Sequence, residues 1–509
     1  MNKTDTQPLL LPAEHLYRGL ALNPQAIAAE DPREKISYRE LVCRSEALAM
    51  ALQAHLPPGS HIGLCAQNHI DHLVAHLAIV IGGFVWVPIN PKNGAQLNQQ
   101  LIQKSCLSLL LIDRQSLDKV SANDLEQWLL DDGSSDDCRH RMAAFRDAAF
   151  TPVIPDGSAT MCIKFTGGTS GEPKGVVQTH NNVAAVIANM QAIFEFDHED
   201  ANLAVAPLTH GGSHYIFPIL GTGGRHLLLP SPDPEQIQKA FTDDGASVSF
   251  MPPTLIYKLL DQPGITAQDF PKLRHLTYSA APMPPEKIHQ VIETIGPRLS
   301  TVYGQTEAPM TITAMNAADM QNKQLQSSVG KACRLSDVAI LDNQGNFVKT
   351  GETGEVATCG QIVMPGYFEE PDKTRETFSN DWLLTGDLGY LDSNGYLFLQ
   401  GRSKELIISG GFNVYPAEVE NALMQLPEIK ECSVFGVEDA YWGERVEAAV
   451  CLTDQNLIES DVIRTQLKAV LGDVKTPKKI YFLDALPRNP VGKVVRREVK
   501  ALCCEEKNF

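Results

Sequence analysis

Apolar positions in the first hundred residues fall into two alternating rhythms. Leu41, Leu48 and Leu52 recur on related faces behind Ser37 and Glu40, a pair spaced as a capping box, so a helix is expected there. His61 to Ala66 reads as a short buried strand, and Ile70 to Val80 as an apolar helix. Phe84 to Ile89 reads as a strand stopped by Asn90-Pro91, and Leu107 to Ile112 as another. Such alternation predicts an α/β fold in which mostly parallel sheet is covered by helices on both faces. The most apolar window, Leu73 to Pro88, is broken by His76, Gly82 and Gly83. It is too short for the roughly 30 Å of bilayer hydrocarbon, so no membrane span is expected.

From Asp113 to Pro155 the pattern decays, and the acidic run Asp131 to Asp137 reads as a solvated loop. Strand–helix alternation returns near Met161 and continues to about Tyr303. Between Val329 and Leu399 it gives way to short strands split by glycine-rich turns, with Asp392-Ser393-Asn394-Gly395 as a hairpin turn. The last hundred or so residues mix helix and strand again. The expected architecture is a large helix-covered part, a β-rich subdomain and a small α+β module at the end.

The chain has 509 residues, with 43 Lys+Arg against 61 Asp+Glu, a formal net charge of −18. That balance argues against a nucleic-acid partner, which needs a basic surplus. Small anionic ligands respond to local cations and remain open. Met1 to Leu11 lacks a basic segment followed by an apolar one, so no secretory signal is read there. The 11 cysteines show no paired metal-ligand spacing and are expected as reduced thiols in a cytoplasmic protein.

Candidate chemistry begins at Thr166-Gly167-Gly168-Thr169-Ser170-Gly171-Glu172-Pro173-Lys174-Gly175, between the strand Met161 to Phe165 and the helix Val183 to Phe194. Glycines admit backbone N–H groups to a polyphosphate, hydroxyls donate, and Lys174 supplies charge. The spacing is not that of a Walker A loop. Two further segments leave strand ends: Ser279-Ala280-Ala281-Pro282 after Leu273 to Tyr278, and Tyr303-Gly304-Gln305-Thr306-Glu307 after Leu299 to Val302. Ligands of open α/β sheets bind beyond such carboxyl ends, so the three converge on one expected nucleotide crevice. A small-residue shelf and the Tyr303 ring would flank a base, with hydroxyls and a carboxylate left for phosphate and Mg2+.

With these segments in order, the sequence resembles the adenylate-forming superfamily of acyl-CoA synthetases, aryl-CoA ligases, luciferases and peptide adenylation domains. Gly354-Glu355 with Gly366-Tyr367, Thr385-Gly386-Asp387, Gly401-Arg402-Ser403-Lys404-Glu405, Gly410 to Pro416 and Pro487 to Lys493 extend the likeness over nearly the whole chain. The resemblance implies ATP and Mg2+ as partners. Asp387 would hold the ribose hydroxyls, Arg402 ribose or phosphate oxygens, Thr306 the α-phosphate and Glu307 the Mg2+. Lys493 would bridge the substrate carboxylate and the α-phosphate, where a cation eases the meeting of two anions. Lys404 matches the family's pivot, which implies an adenylation domain over residues 1–403 and a lid domain carrying Lys493 over 404–509.

The acid pocket of such proteins draws on the stretch matching Pro207 to Gly212 and on residues near Ala280 and Gly304. His210 would belong to the catalytic set, facing the acyl pocket or gating the acceptor, although a lone histidine is equally a structural residue. No aspartate lies between Thr209 and Leu220 to pair an ammonium group, which disfavours α-amino acids. Tyr215, Ile216 and Phe217 point to an uncharged, apolar fatty, alicyclic or aryl acid. Gly410 and Gly411 resemble the acyl-CoA synthetase form of the loop lining the pantetheine path, which makes coenzyme A the leading acceptor. An amino acid acceptor, as in amide-forming ligases resembling coronafacate ligase, is the alternative. A non-catalytic nucleotide-binding protein is the other reading, though it has no need of Glu307, Asp387, Arg402 and Lys493 together.

Overall fold

The computed structural model describes residues 8–120, 124–131, 137–167, 172–453, 458–489 and 492–505. Gly168, Thr169, Ser170 and Gly171 of the candidate phosphate segment lie outside them, as do Pro490 and Val491. Four sheets form among the described residues. The first runs Gln127–Leu129, Leu109–Ile112, His61–Cys65, Val85–Pro88 and Thr160–Gly167 in parallel, with Pro173–Thr179 antiparallel at its edge. The second has a parallel centre, Leu299–Gln305, His275–Tyr278, Val248–Met251, Ala201–Ala204, Arg225–Leu228 and Ile27–Glu30, between antiparallel edges.

The alternation therefore builds two helix-covered sheets sharing a core. Leu73, Leu77 and Val80 of the wholly buried helix Ile70–Ile81 pack into one cluster with Ile62 and Leu64 from one sheet and Ala28 and Ala29 from the other. The helix Tyr38–His55 is capped as expected at Ser37, whose hydroxyl accepts the Glu40 N–H at 3.2 Å. Glu40 completes only half of the capping box, because its carboxylate pairs with Arg44 at 2.7 Å.

The third sheet, built on Ser336–Leu341, Gly354–Gly360, Trp382–Leu391 and Leu397–Arg402, is antiparallel. The fourth, from Ile407–Ser409 to Lys479–Phe482, is covered by the helices Pro416–Met424 and Ser460–Lys475. Ile407, Val419, Val434, Val446, Ile463 and Ile480 make a separate apolar core for it.

Two expectations are corrected. The glycine-rich segment does not lead straight into a helix: Pro173–Thr179 returns antiparallel to Thr160–Gly167, and the helix His180–Phe194 starts only after it, capped by Thr179. Tyr303-Gly304-Gln305 is not a loop. It continues the strand Leu299–Gln305 through a bulge, because pairing with Ala308–Met315 satisfies its backbone.

The shared core also buries histidines. His15, His72, His180 and His226 are at most 6% exposed, and burial holds each down at about 4. In the unfolded chain they protonate near the ordinary 6.5, so between pH 6.5 and 4 the unfolded state binds more protons and acidification favours it. Each contributes up to roughly 1.4 kcal/mol per pH unit across that window. The urea midpoint is expected to fall steadily from pH 7 to pH 5; a flat midpoint would contradict the assignment.

Candidate active site

Asp387 and Arg402 face each other across neighbouring strands of the third sheet. The Arg402 Nε donates to Asp387 Oδ1 at 2.8 Å, and the Tyr303 hydroxyl donates to Oδ2 at 2.6 Å. Asp387 is 7% exposed, and its own N–H donates to Thr385 Oγ1 at 3.1 Å. Burial, and then the Asp387 charge, push the Tyr303 phenol well above its usual range, so it remains a neutral donor. Tyr303 thus enters the site through its hydroxyl, while its ring packs into a core cluster with Phe250 and Met310.

Thr306 and Glu307 occupy the turn between Leu299–Gln305 and Ala308–Met315. A side chain at Gly304 would collide with the backbone N of Met310, so the turn needs glycine there. Gln178 donates to the Thr306 carbonyl at 2.8 Å. The Tyr367 hydroxyl donates to Glu307 Oε1, also at 2.8 Å, and burial followed by the Glu307 charge raises that phenol. The Lys174 ammonium lies 4.7 Å from the centre of the same Tyr367 ring. Backbone bonds from Val177 N to Gly366 O at 3.1 Å and from Phe368 N to Gly175 O at 2.7 Å stitch the hairpin to this segment. Thr166 stands opposite Lys174 in the hairpin.

Ser279 to Pro282 follow the strand His275–Tyr278, and Tyr278 pairs with Thr301, two residues before Tyr303. Ala280 takes a left-handed φ of 72°, and both it and Pro282 are exposed. The structure therefore brings together Ser279 to Pro282, Tyr303, Gly304, Gln305, Thr306, Glu307, Asp387 and Arg402. Lys174 joins them through Tyr367.

Lys493 approaches from the C-terminal module. Its N–H donates to Asn489 Oδ1 at 2.8 Å, and Arg488 Nη1 donates to Gly492 O at 2.8 Å, which fixes the loop. Gly492 passes the helix Pro253–Leu260 so closely that an added Cβ would sit 3.2 Å from Thr254 Oγ1. Lys493 keeps an exposed surface, yet the surrounding protein and then the Arg402 charge lower it below the usual lysine range. Asp387 and Glu405 act in the opposite direction. Lys404 lies in the short turn Ser403–Glu405 joining the third and fourth sheets. Arg496 clamps that turn from behind by pairing with Glu405, and with Glu420 at 2.8 Å.

His210 shares a hydrogen bond with Thr209 Oγ1 at 3.1 Å and is lowered to about 4 by burial, then by Lys164 and Lys92. It is neutral at pH 7. Tyr215, Ile216 and Phe217 are 1%, 1% and 2% exposed and belong to the core clusters. Gly410 has φ +58° and donates its N–H to Trp442 O at 2.8 Å. Gly411 follows at φ +81°. Both sit at the turn of a hairpin of the fourth sheet, where Gly410 lies against Trp442. Gln178 and the hydroxyl of Tyr367 escaped sequence reasoning, since nothing local marks either. Lys164 did leave a signal, as the one charge within the apolar strand Met161 to Phe165.

Residues 16–368 match the AMP-binding enzyme family, and residues 418–493 match the AMP-binding enzyme C-terminal domain. The chain is 30% identical to the medium/long-chain-fatty-acid–CoA ligase FadD8 of Mycobacterium tuberculosis, over 87% of this chain and 81% of that one. Its structure is similar to the amide bond synthetase McbA from Marinactinospora thermotolerans, with a TM-score of 0.88 and 25% identity, covering 96% of this chain and 99% of that one. ATP-bound MatB from Rhodopseudomonas palustris is similar too, with a TM-score of 0.89 and 27% identity over 96% and 98%. Scaffold and site together define an adenylate-forming protein in two parts. The chain belongs to the AMP-binding enzyme family, among its acyl-CoA synthetases.

Proposed function

We infer that this chain is an AMP-forming acid–thiol ligase. A carboxylate oxygen attacks the α-phosphorus of ATP, the bond to the β-phosphate oxygen breaks, and pyrophosphate leaves. The thiol sulfur of coenzyme A then attacks the acyl carbonyl and AMP departs. What supports this reading most is the cluster of Asp387, Tyr303 and Arg402 lying within electrostatic reach of Lys493, a cation from the other end of the chain. Asp387 receives the ribose hydroxyls, Arg402 steadies ribose or phosphate oxygens, and Thr166, Lys174 and Thr306 face the phosphates. Lys493 bridges the attacking carboxylate and the α-phosphate.

Glu307 suits Mg2+. Tyr367 engages one of its oxygens and leaves the other for a cation. Among the described residues no group of three metal-ligating side chains exists, which fits an ion completed by water and substrate phosphates. When bound, Mg2+ neutralises charge developing on those phosphates.

We place the domain boundary at Lys404, where the separate core beginning at Ile407 supports a lid that turns between the half-reactions. The cytoplasm is the compartment we assign, since free thiols suit a reducing milieu. An amine acceptor is a second reading, favoured by the likeness to McbA.

ATP–pyrophosphate exchange with fatty, alicyclic and aryl acids tests the first step, and coenzyme A against amino acids as acceptors tests the second. No exchange with any acid sinks the reading. Gly410 gives a sharper check on the acceptor path. A Cβ there would meet the Trp442 ring at 2.9 Å, and φ +58° disfavours a branched residue. Gly410→Val is expected to slow thioester formation about tenfold or more by misplacing the loop, with exchange largely unchanged. Equal loss in both half-reactions removes Gly410 from the thiol path.

A further inference from the structure

Lys164 has no part in the roles above, and its setting is unusual for a lysine. It lies on the strand Thr160–Gly167 and is 7% exposed. Its ammonium donates to Ser213 Oγ at 3.1 Å and meets His214 Nε2 at 3.3 Å. It stands 5.2 Å from the centre of the Trp86 ring. His76 packs edge-on against that indole at 4.2 Å, and neither of its ring nitrogens has a hydrogen-bond partner. His210 also feels the Lys164 charge.

The balance of donors and charges is one-sided. Among the described residues no carboxylate pairs with Lys164, and burial disfavours protonation of His76, His210 and His214. Ser213 spends its own proton on the His210 carbonyl at 2.7 Å, so it offers Lys164 an acceptor and nothing more. Two of the three ammonium hydrogens are used; the third remains, together with the ring N–H of His76. Burial pushes Lys164 below the usual lysine range, and an anion sharing its space would hold the ammonium charged and fill its spare donor.

Strand alternation shows which way Lys164 looks. It shares a hairpin face with Thr166, Lys174 and Gln178, and Gln178 holds the Thr306 carbonyl. The lysine thus borders the proposed reaction cleft, on the side of the segment from Pro207 to Tyr215. A neutral hydroxyl or ketone reaching it would fill a donor but leave the charge. A carboxylate supplies both.

We propose that the acid activated by this enzyme is a dicarboxylic acid with an otherwise apolar body, whose second carboxylate is received by Lys164 and His76 beside Ser213 and His214. The proposal rests on the adenylating reading, because it assigns one carboxyl group to the α-phosphate and the other to Lys164.

The test is pyrophosphate exchange with straight-chain and benzene dicarboxylic acids, each set against the monocarboxylic acid of the same length or ring. Wild-type enzyme is expected to prefer at least one diacid by about tenfold or more in kcat/KM, the scale of a hydrogen-bonded charge. Lys164→Met should erase that preference by lowering the diacid and sparing the monoacid. Lys164→Arg should retain it, and thermal melting of both variants checks that they fold. If Lys164→Met does not fold, the diacid preference of wild type and Lys164→Arg decides the matter. A wild type that favours monoacids overturns the proposal and leaves the ligase reading standing. So does a uniform loss for all acids in a folded Lys164→Met, which would put Lys164 at the reacting carboxyl. No exchange with any acid takes down both.

Discussion

Lys493→Ala is expected to slow acyl-adenylate formation by about 10²–10³-fold, the usual cost of removing one preorganised charge stabiliser, with the KM for ATP nearly unchanged. The split follows from what the side chain would do. In the ground state the ammonium feels Arg402 and Asp387 in opposite directions, so it is expected to add little to nucleotide affinity. As the acid's carboxylate closes on the α-phosphorus, negative charge gathers between them, and only then is the cation fully used. The ammonium must be charged for this. Surrounding protein and Arg402 hold it below the usual lysine range, so the wild-type rate should decline on the alkaline side earlier than an ordinary lysine would allow. Lys493→Ala should lack that limb. Pyrophosphate exchange and single-turnover formation of the adenylate across pH measure both effects. An unchanged exchange rate in the variant would remove Lys493 from the chemistry.

Much of the framework was legible because local chemistry dictates it. The helix Ile70–Ile81 and the strands His61–Cys65 and Val85–Pro88 lie within a residue or two of their expected bounds, since uninterrupted burial demands an apolar run of the right length. The strand Pro173–Thr179 was hidden. It opens on proline and glycine and is defined by its partner across the hairpin rather than by its own pattern. Which strands share a sheet was hidden for the same reason: alternation announces βαβ units, but pairing is decided by long-range packing around the helix Ile70–Ile81. At the site, Asp387 and Arg402 are marked in the sequence by the motifs that carry the family resemblance. Their direct opposition depends on strand register within the third sheet, and Tyr303 joins them from the second sheet through packing. The hydroxyl of Tyr303 also orients the Asp387 carboxylate, a contact that nothing local in the sequence announces.

Asp387→Ala is expected to raise the KM for ATP by about 10²-fold or more, since two hydrogen bonds from ribose hydroxyls to a charged acceptor are worth roughly 1.5–3 kcal/mol each. Each oxygen of Asp387 already accepts one bond, from Arg402 at 2.8 Å and from Tyr303 at 2.6 Å, and each keeps lone-pair capacity for a ribose hydroxyl. The two protein donors therefore fix the carboxylate before the nucleotide arrives, so little ordering remains to be done on binding. Removing the carboxylate also strands the Tyr303 phenol in a buried position and leaves Arg402 without its anion, which turns the proposed ribose acceptor into a site presenting only donors. Asp387→Asn should fall between wild type and alanine, because its amide NH2 must face one of those two donors. Tyr303→Phe should cost less than either, since it removes an orienting bond while leaving both acceptor oxygens in place. Titration with ATP and with its 2′-deoxy and 3′-deoxy analogues separates the contributions: wild type should discriminate against both analogues and Asp387→Ala against neither. If the alanine variant lowers thermal stability yet still discriminates between ATP and the deoxy analogues, Asp387 holds the strands together and the ribose lies elsewhere.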